Sequence, residues 1–291
     1  MSALPVAVPP LINGPGFWRR AFSHRSFAVG SVLSLLVVLA ALLSYLWTPH
    51  SPYEIDMGLK LLAPGATYWF GTDAFGRDVA SLLLVGARSS IVVGVIAVGI
   101  GLVVGTAFGL IASAKRGWVE EIIMRLADFG FAFPAILSAI MLTAVFGPGM
   151  VNAIIAIGIY NIPTFARITR ASANAVWSRE FVLAARACGK NAFSITMEHV
   201  LPNIMSVLIV QTTIRFAIAI LAEAALSYLG LGTQPPQPSW GRMLAEAQTL
   251  MFQAPLLAVF PGIAIALAVL GLNLLGDGLR DLFDPRLARK R

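Results

Sequence analysis

Charged residues are missing from this chain over long stretches, and those gaps set the first expectations. Phe27 to Trp47 runs 21 residues without Asp, Glu, Lys or Arg. That is enough for an α-helix to cross a hydrocarbon core of about 30 Å, and longer than the roughly 7–15 residue apolar core of a signal peptide. Ser89 to Ala114 is charge-free over 26 residues. Within it Gly101, Gly105 and Gly109 recur at four-residue spacing, extended by Ala97 and Ser113, a face that lets two helices pack backbone to backbone. A third span is expected from Ile122 to Phe146, carrying Asp128 and Pro134, and a fourth from Met150 to Ala166, bending or ending near Pro163. A fifth, Ile204 to Leu226, holds Arg215 and Glu223, and a sixth covers Ala254 to Gly276.

The intervening stretches read as connections. Thr48 to Arg88 is mixed and polar. In it Asp78 to Ala87 is too short to span and predicts a surface helix, while Tyr68, Trp69 and Phe70 suit the headgroup level. Gly147-Pro148-Gly149 is a tight turn, and the Pro- and Gly-rich run Gly230 to Trp240 is a loop. The Pro-rich residues 1–26 and the basic residues 277–291 read as tails.

One polar-bearing run stands apart, Arg179 to Asn203 (REFVLAARACGKNAFSITMEHVLPN). At 100° per residue Phe181, Ala184, Ala185, Cys188, Ala192 and Ile195 share a small-residue stripe, with Arg179, Arg186 and Lys190 opposite. Gly189 interrupts the run and predicts two short helices meeting at a bend. Ala184, Ala185, Gly189, Ile195, Leu201 and Pro202 resemble the EAA signature of permease subunits in ATP-binding-cassette importers. The resemblance implies that 179–203 is a cytoplasmic coupling segment docking on an ATPase, with Glu180, Phe181, Leu183, Ala184, Ala185, Gly189, Leu201 and Pro202 as its candidate residues. Leu183 stands where the family pattern has Glu, on the face of Arg179 and Lys190, so the local charge is expected to be positive and uncompensated. A basic amphipathic helix lying on the membrane is the alternative.

The resemblance extends along the chain. FGTDAFGRDVASLLLVGARSS (Phe70 to Ser90), RLADFGFAFP (Arg125 to Pro134) and GLNLLGDGLRDLFDP (Gly271 to Pro285) are similar to segments of the dipeptide, oligopeptide and nickel importer group. It implies an all-α polytopic membrane protein of six transmembrane helices with the type I ABC importer permease fold. Residues 87–276 would be the permease domain, preceded by an extra helix and an extracytoplasmic segment in 27–86. Implied partners are a second homologous permease, two ABC ATPases, an extracytoplasmic solute-binding protein and membrane lipid. The substrate would be a dipeptide or oligopeptide, with glutathione or nickel as alternatives.

Composition agrees with the class. The chain is 58% hydrophobic and 12% charged, half the charge of about 25% in soluble domains. Its net charge of +7 does not mark a nucleic-acid binder, because the basic residues flank apolar spans. Sixteen of 21 Lys and Arg fall on the side assigned to the cytoplasm and four outside, with Arg215 in the membrane. The positive-inside rule then places both termini on the cytoplasmic side, and the resemblance implies that the membrane is a bacterial inner membrane. The single Cys188 is expected to pack as a small apolar residue.

No phosphate-binding loop, HExxH or G-x-S-x-G pattern occurs, so the chain is read as a non-enzyme without cofactor or metal, driven by its partners. Asp128, Arg215 and Glu223 are candidates for translocation-path or interhelical charges. A secondary transporter is the rival class; it would need a coupling-ion acid, for which Asp128 is the candidate, and an internal repeat, of which the sequence has no trace.

Overall fold

A computed structural model describes residues 21–283; the proline-rich part of the N-terminal tail (1–20) and the basic end of the C-terminal tail (284–291) lie outside them. Among the described residues five helices are long and apolar enough to cross a membrane, or six if one bent pair counts as a span. The chain runs α1 (Arg25–Leu46), α2 (Val79–Lys115), α3 (Gly117–Ala132), α4 (Ala135–Phe146), α5 (Met150–Trp177), α6 (Glu180–Ala187), α7 (Ala192–Ile195), α8 (Leu201–Tyr228), α9 (Trp240–Ala247) and α10 (Leu256–Phe283). We call the end carrying α6 and α7 the basic end and the opposite one the loop end.

Three expected boundaries are corrected. The separate surface helix over Asp78 to Ala87 does not exist: Asp78 caps α2, accepting from the Ser81 amide at 2.9 Å, and the helix runs 37 residues without a break. The boundary at 86/87 therefore falls inside α2, and that at 276/277 inside α10. The third span is bent by 84° between Gly117–Ala132 and Ile136–Phe146. Pro134 disfavours helix at the residue before it, and Phe133 is extended at φ −105, ψ 131. Pro163, in contrast, does not end its helix. α5 continues to Trp177, with the Pro163 ring seated against Gly130 of α3.

The glycine ladder is the central packing device. A Cβ on Gly101 would lie 2.3 Å from Asn161 Cβ, and one on Gly105 2.5 Å from the Ile162 carbonyl. One on Gly109 would lie 2.5 Å from Thr169 Cβ, and Ala97 and Ser113 are fully buried on the same face. α2 and α5 thus meet nearly backbone to backbone, gaining dispersion contacts where lipid tails already satisfy apolar side chains. α1 docks on α10 by the same means, Gly30 against Leu275 and Gly278 against Phe27. Outward faces carry Leu35, Leu36, Leu39, Leu42 and Val103, all exposed.

Two apolar cores result. One joins α2, α5 and α8 and continues into the basic end through Trp177, Val182, Ile195 and Val200. The other joins α1, α2, α8, α9 and α10 around Leu82, Ile220 and Trp240. At the loop end Arg77 binds Asp73 at 2.6 Å and Glu246 at 2.7 Å, while Arg242 binds Glu246 at 2.9 Å. Trp240 Nε1 donates to the Leu83 carbonyl at 3.0 Å. The segment around 70–78 and helix α9 are thereby fastened to the top of α2.

Candidate functional site: the turn at the basic end and three candidate charges

The turn is built from backbone rules. Arg179 is extended and precedes α6, whose first turn holds Glu180, favourable to the positive end of the helix dipole. The helix closes in a Schellman motif: Gly189 N–H donates to Arg186 O at 2.9 Å and Lys190 N–H to Ala185 O at 3.2 Å. Gly189 takes φ +81, and a Cβ there would meet nothing within 4 Å, so its requirement is conformational and not one of space. Asn191 then caps α7 by accepting from the Ser194 amide at 2.8 Å. Two short helices at a bend are what the glycine predicts and what the structure has.

From Thr196 to Val200 the helix is wound as a π-turn before Leu201, with the Leu201 amide reaching back to Thr196 O. Pro202 follows at the start of α8. A proline ring crowds the carbonyl four residues earlier, here that of Glu198, and the wider turn makes room. Leu201 packs partly against the first core and Pro202 is exposed.

The expected stripe is split in two. Val182, which sequence reasoning missed, is fully buried; Ala185 is partly buried beside it, and Ile195 is buried. Phe181, Leu183, Ala184, Cys188, Ala192 and Phe193 are exposed, so Cys188 does not pack inside as expected. The wheel failed within α6 itself, where the buried face is Val182 and Ala185 while Phe181, Ala184 and Cys188 are exposed, and the left-handed Gly189 then resets the helical phase before Ala192 and Ile195. The signal for Val182 was its three-residue spacing from Ala185 within α6 alone. Together the exposed residues form an apolar surface on a turn whose inner side is anchored in the core.

The expected uncompensated positive charge is also corrected. Lys190 pairs with Glu198, which additionally accepts from Ser194 Oγ at 2.7 Å. The Arg186 guanidinium lies over the Trp177 ring at 5.3 Å, and Phe181 meets His199 edge-on. Leu183 is 54% exposed.

The three candidate charges have different surroundings. Asp128 pairs with Arg167, whose guanidinium also stacks on Phe131 at 4.3 Å, so it is not the solitary acid that the rival class would require. Arg170 binds Glu120 at 2.7 Å beside it. Glu223 is fully buried, accepting from Ser227 Oγ at 2.7 Å, Ser90 Oγ at 3.2 Å and Thr233 Oγ1 at 3.4 Å. It ties α8 to α2 and to the loop after Tyr228. Arg215, half-buried in mid-α8, has a buried Nε with no hydrogen-bond partner among the described residues. Among those residues no group of three or more His, Cys, Asp or Glu is placed to hold a metal.

Comparison with known proteins gives two family matches. Residues 98–289 match the binding-protein-dependent transport system inner membrane component, and residues 16–64 the N-terminal TM domain of oligopeptide transport permease C. The glutathione transport system permease protein GsiD of Pectobacterium atrosepticum is 40% identical over 99% of this chain and 96% of its own. The dipeptide transport system permease protein DppC of Alkalihalophilus pseudofirmus is 42% identical over 93% of this chain and 90% of its own. A chain of the MetNI methionine ABC transporter, in an inward-facing crystal form, shares the fold with TM-score 0.59 at 16% identity, over 70% of this chain and 97% of that one.

Proposed function

Because the chain belongs to the family of binding-protein-dependent transport system inner membrane components, we propose that it forms half of an ATP-driven import path for small peptides. The observation that carries this is the turn at the basic end. It exposes Phe181, Leu183, Ala184 and Phe193 to a partner, while Val182 and Ile195 tie it into the core of the spans. A surface that is apolar outside and anchored inside suits transmission of force from an ATPase. Hydrolysis itself then belongs to two partner ATPases, with a second permease completing the path and a solute-binding protein delivering the substrate. The concentration of Lys and Arg at the basic end supports a cytoplasmic location for that end and for both termini.

Relatives named for dipeptide and for glutathione transport support a peptide substrate, since glutathione is itself a tripeptide carrying two free carboxylates. Ala184→Trp tests the coupling role. Ala184 is exposed, so a bulky side chain there leaves the chain's own core untouched. Uptake into vesicles by the complete transporter is expected to collapse while the chain remains in the membrane. Undiminished uptake refutes the docking surface. Ala185→Trp is a poorer test, because Ala185 already packs on the core.

A further inference from the structure

Arg88 is the last charged residue before the uncharged run Ser89 to Ala114. It lies well inside α2, about 15 Å along the helix from its Asp78 cap. The depth of Arg88 follows from its neighbours on α1. That helix runs 22 residues, Arg25–Leu46, or about 33 Å, against a hydrocarbon core of about 30 Å. Its last turn, which carries Tyr45, therefore reaches the boundary at the loop end. The Arg88 guanidinium lies over the Tyr45 ring at 4.6 Å. Just beyond, the exposed Trp47 and Trp69 meet with ring centroids 6.3 Å apart, and indole rings collect at the headgroup level.

The opposite side of α2 at this height is closed, with Gly86 against the Trp240 ring and Ser89 Oγ donating to the Pro238 carbonyl at 3.0 Å. Arg88 is partly exposed on the side of α1. The contacts of its guanidinium among the described residues are the Tyr45 ring and the Tyr53 hydroxyl, the latter at 3.5 Å from Nη2. Neither is a carboxylate, whereas Arg77, Arg167, Arg170 and Arg242 each hold an acid. Both tyrosines are exposed. Leu42 and Val38 lie one and two turns below Tyr45 on the same flank of α1, and they too are exposed. A cation at the headgroup level above an apolar track matches the two parts of a phospholipid. The guanidinium fork fits two phosphate oxygens, and the track fits an acyl chain. A free phosphate ion would engage the guanidinium alone.

We propose that Arg88, framed by Tyr45 and Tyr53, holds the phosphodiester of a phospholipid of net negative charge in the leaflet at the loop end, with an acyl chain of that lipid along Leu42 and Val38. Such a lipid joins α1 to α2 at the membrane boundary.

The test uses the complete transporter in vesicles of equal parts phosphatidylglycerol and phosphatidylcholine. Leu42, on the track, is replaced by the photoreactive p-benzoylphenylalanine. Irradiation fixes whichever lipid lies beside it, and mass spectrometry of the digested chain gives the ratio of the two adducts. Leu36, exposed on the opposite side of α1, carries the same label as a control. At Leu42 phosphatidylglycerol should exceed phosphatidylcholine about fivefold relative to Leu36, the preference that one basic residue near a membrane surface confers. Arg88→Gln should bring the Leu42 ratio down to that of Leu36, and Arg88→Lys, which keeps the charge, should retain most of it. Tyr53→Phe, which removes only the hydroxyl, should lower it about twofold.

Equal ratios at Leu42 and Leu36 in the parent overturn the proposal, and so does an enrichment at Leu42 that survives Arg88→Gln. Loss of the enrichment in excess inorganic phosphate overturns the lipid as occupant and assigns the site to a free anion. Should Arg88→Gln fail to assemble, Tyr53→Phe decides: a parental ratio overturns the proposal and a lowered one supports it.

Discussion

Replacing Gly189 separates two explanations for a glycine in the turn at the basic end. Its φ of +81 closes the Schellman motif through the Arg186 and Ala185 carbonyls, and a Cβ would meet nothing within 4 Å. Gly189→Ala therefore adds no clash within the chain. It does place an L-residue in the left-handed region, raising the free energy of the turn by about 1–2 kcal/mol. That reduces the population of the closed turn by a factor of about 5–30. Asn tolerates the same conformation better than Ala, because its short amide hydrogen-bonds locally. In vesicles containing the complete transporter, peptide moved per ATP hydrolysed should fall in the order Gly, Asn, Ala. If the glycine instead served close approach by the ATPase, the larger Asn would be the worse replacement. An Asn variant that couples less well than the Ala variant therefore refutes the conformational explanation.

Two further outcomes follow from the packing and the charge distribution. Gly101→Val forces side-chain atoms onto Asn161 and should destabilise the α2–α5 pair by about 1–3 kcal/mol, whereas Gly99→Ala, with nothing within 4 Å, should be neutral; the thermal unfolding midpoint of the detergent-solubilised chain compares them, and equal midpoints refute the ladder. Cysteines at Ser51 and Gln237, both exposed at the loop end, should react with an impermeant thiol reagent from outside the cell in a Cys188→Ala background, and one at Ser178 should not; the reverse pattern inverts the proposed orientation.

The helices and the contact between α2 and α5 were legible because membrane spans depend on length and on small-residue spacing, both local properties. The Gly101, Gly105 and Gly109 row pointed to its own packing face without any knowledge of the partner. What stayed hidden depended on phase or on distant partners. Nothing in Asp78 to Ala87 signals that it continues into the next span, since a charge such as Arg88 reads as a boundary. In the fold Arg88 instead lies over the Tyr45 ring at 4.6 Å. Lys190 was read as unpaired because Glu198 lies beyond a change of helical phase, and Val182 was missed because the stripe was drawn through Ala184 and Cys188, which are exposed. The Arg77–Glu246 pair joins residues 169 positions apart, and no periodicity connects them.

The 37 unbroken residues of α2 extend about 55 Å at 1.5 Å per residue, against a hydrocarbon core of about 30 Å. Roughly 25 Å of stiff rod therefore stands outside the apolar slab. One extremity is bolted to the salt-bridged cap around Asp78 and Trp240, and the other stops at Arg116, against α3. Tilting such a rod by about 10° about Ala97, its midpoint, swings either extremity by roughly 5 Å, from rigid geometry alone. Movement felt at the cap would thus arrive at the opposite aqueous face as leverage, with no relay of side chains between them.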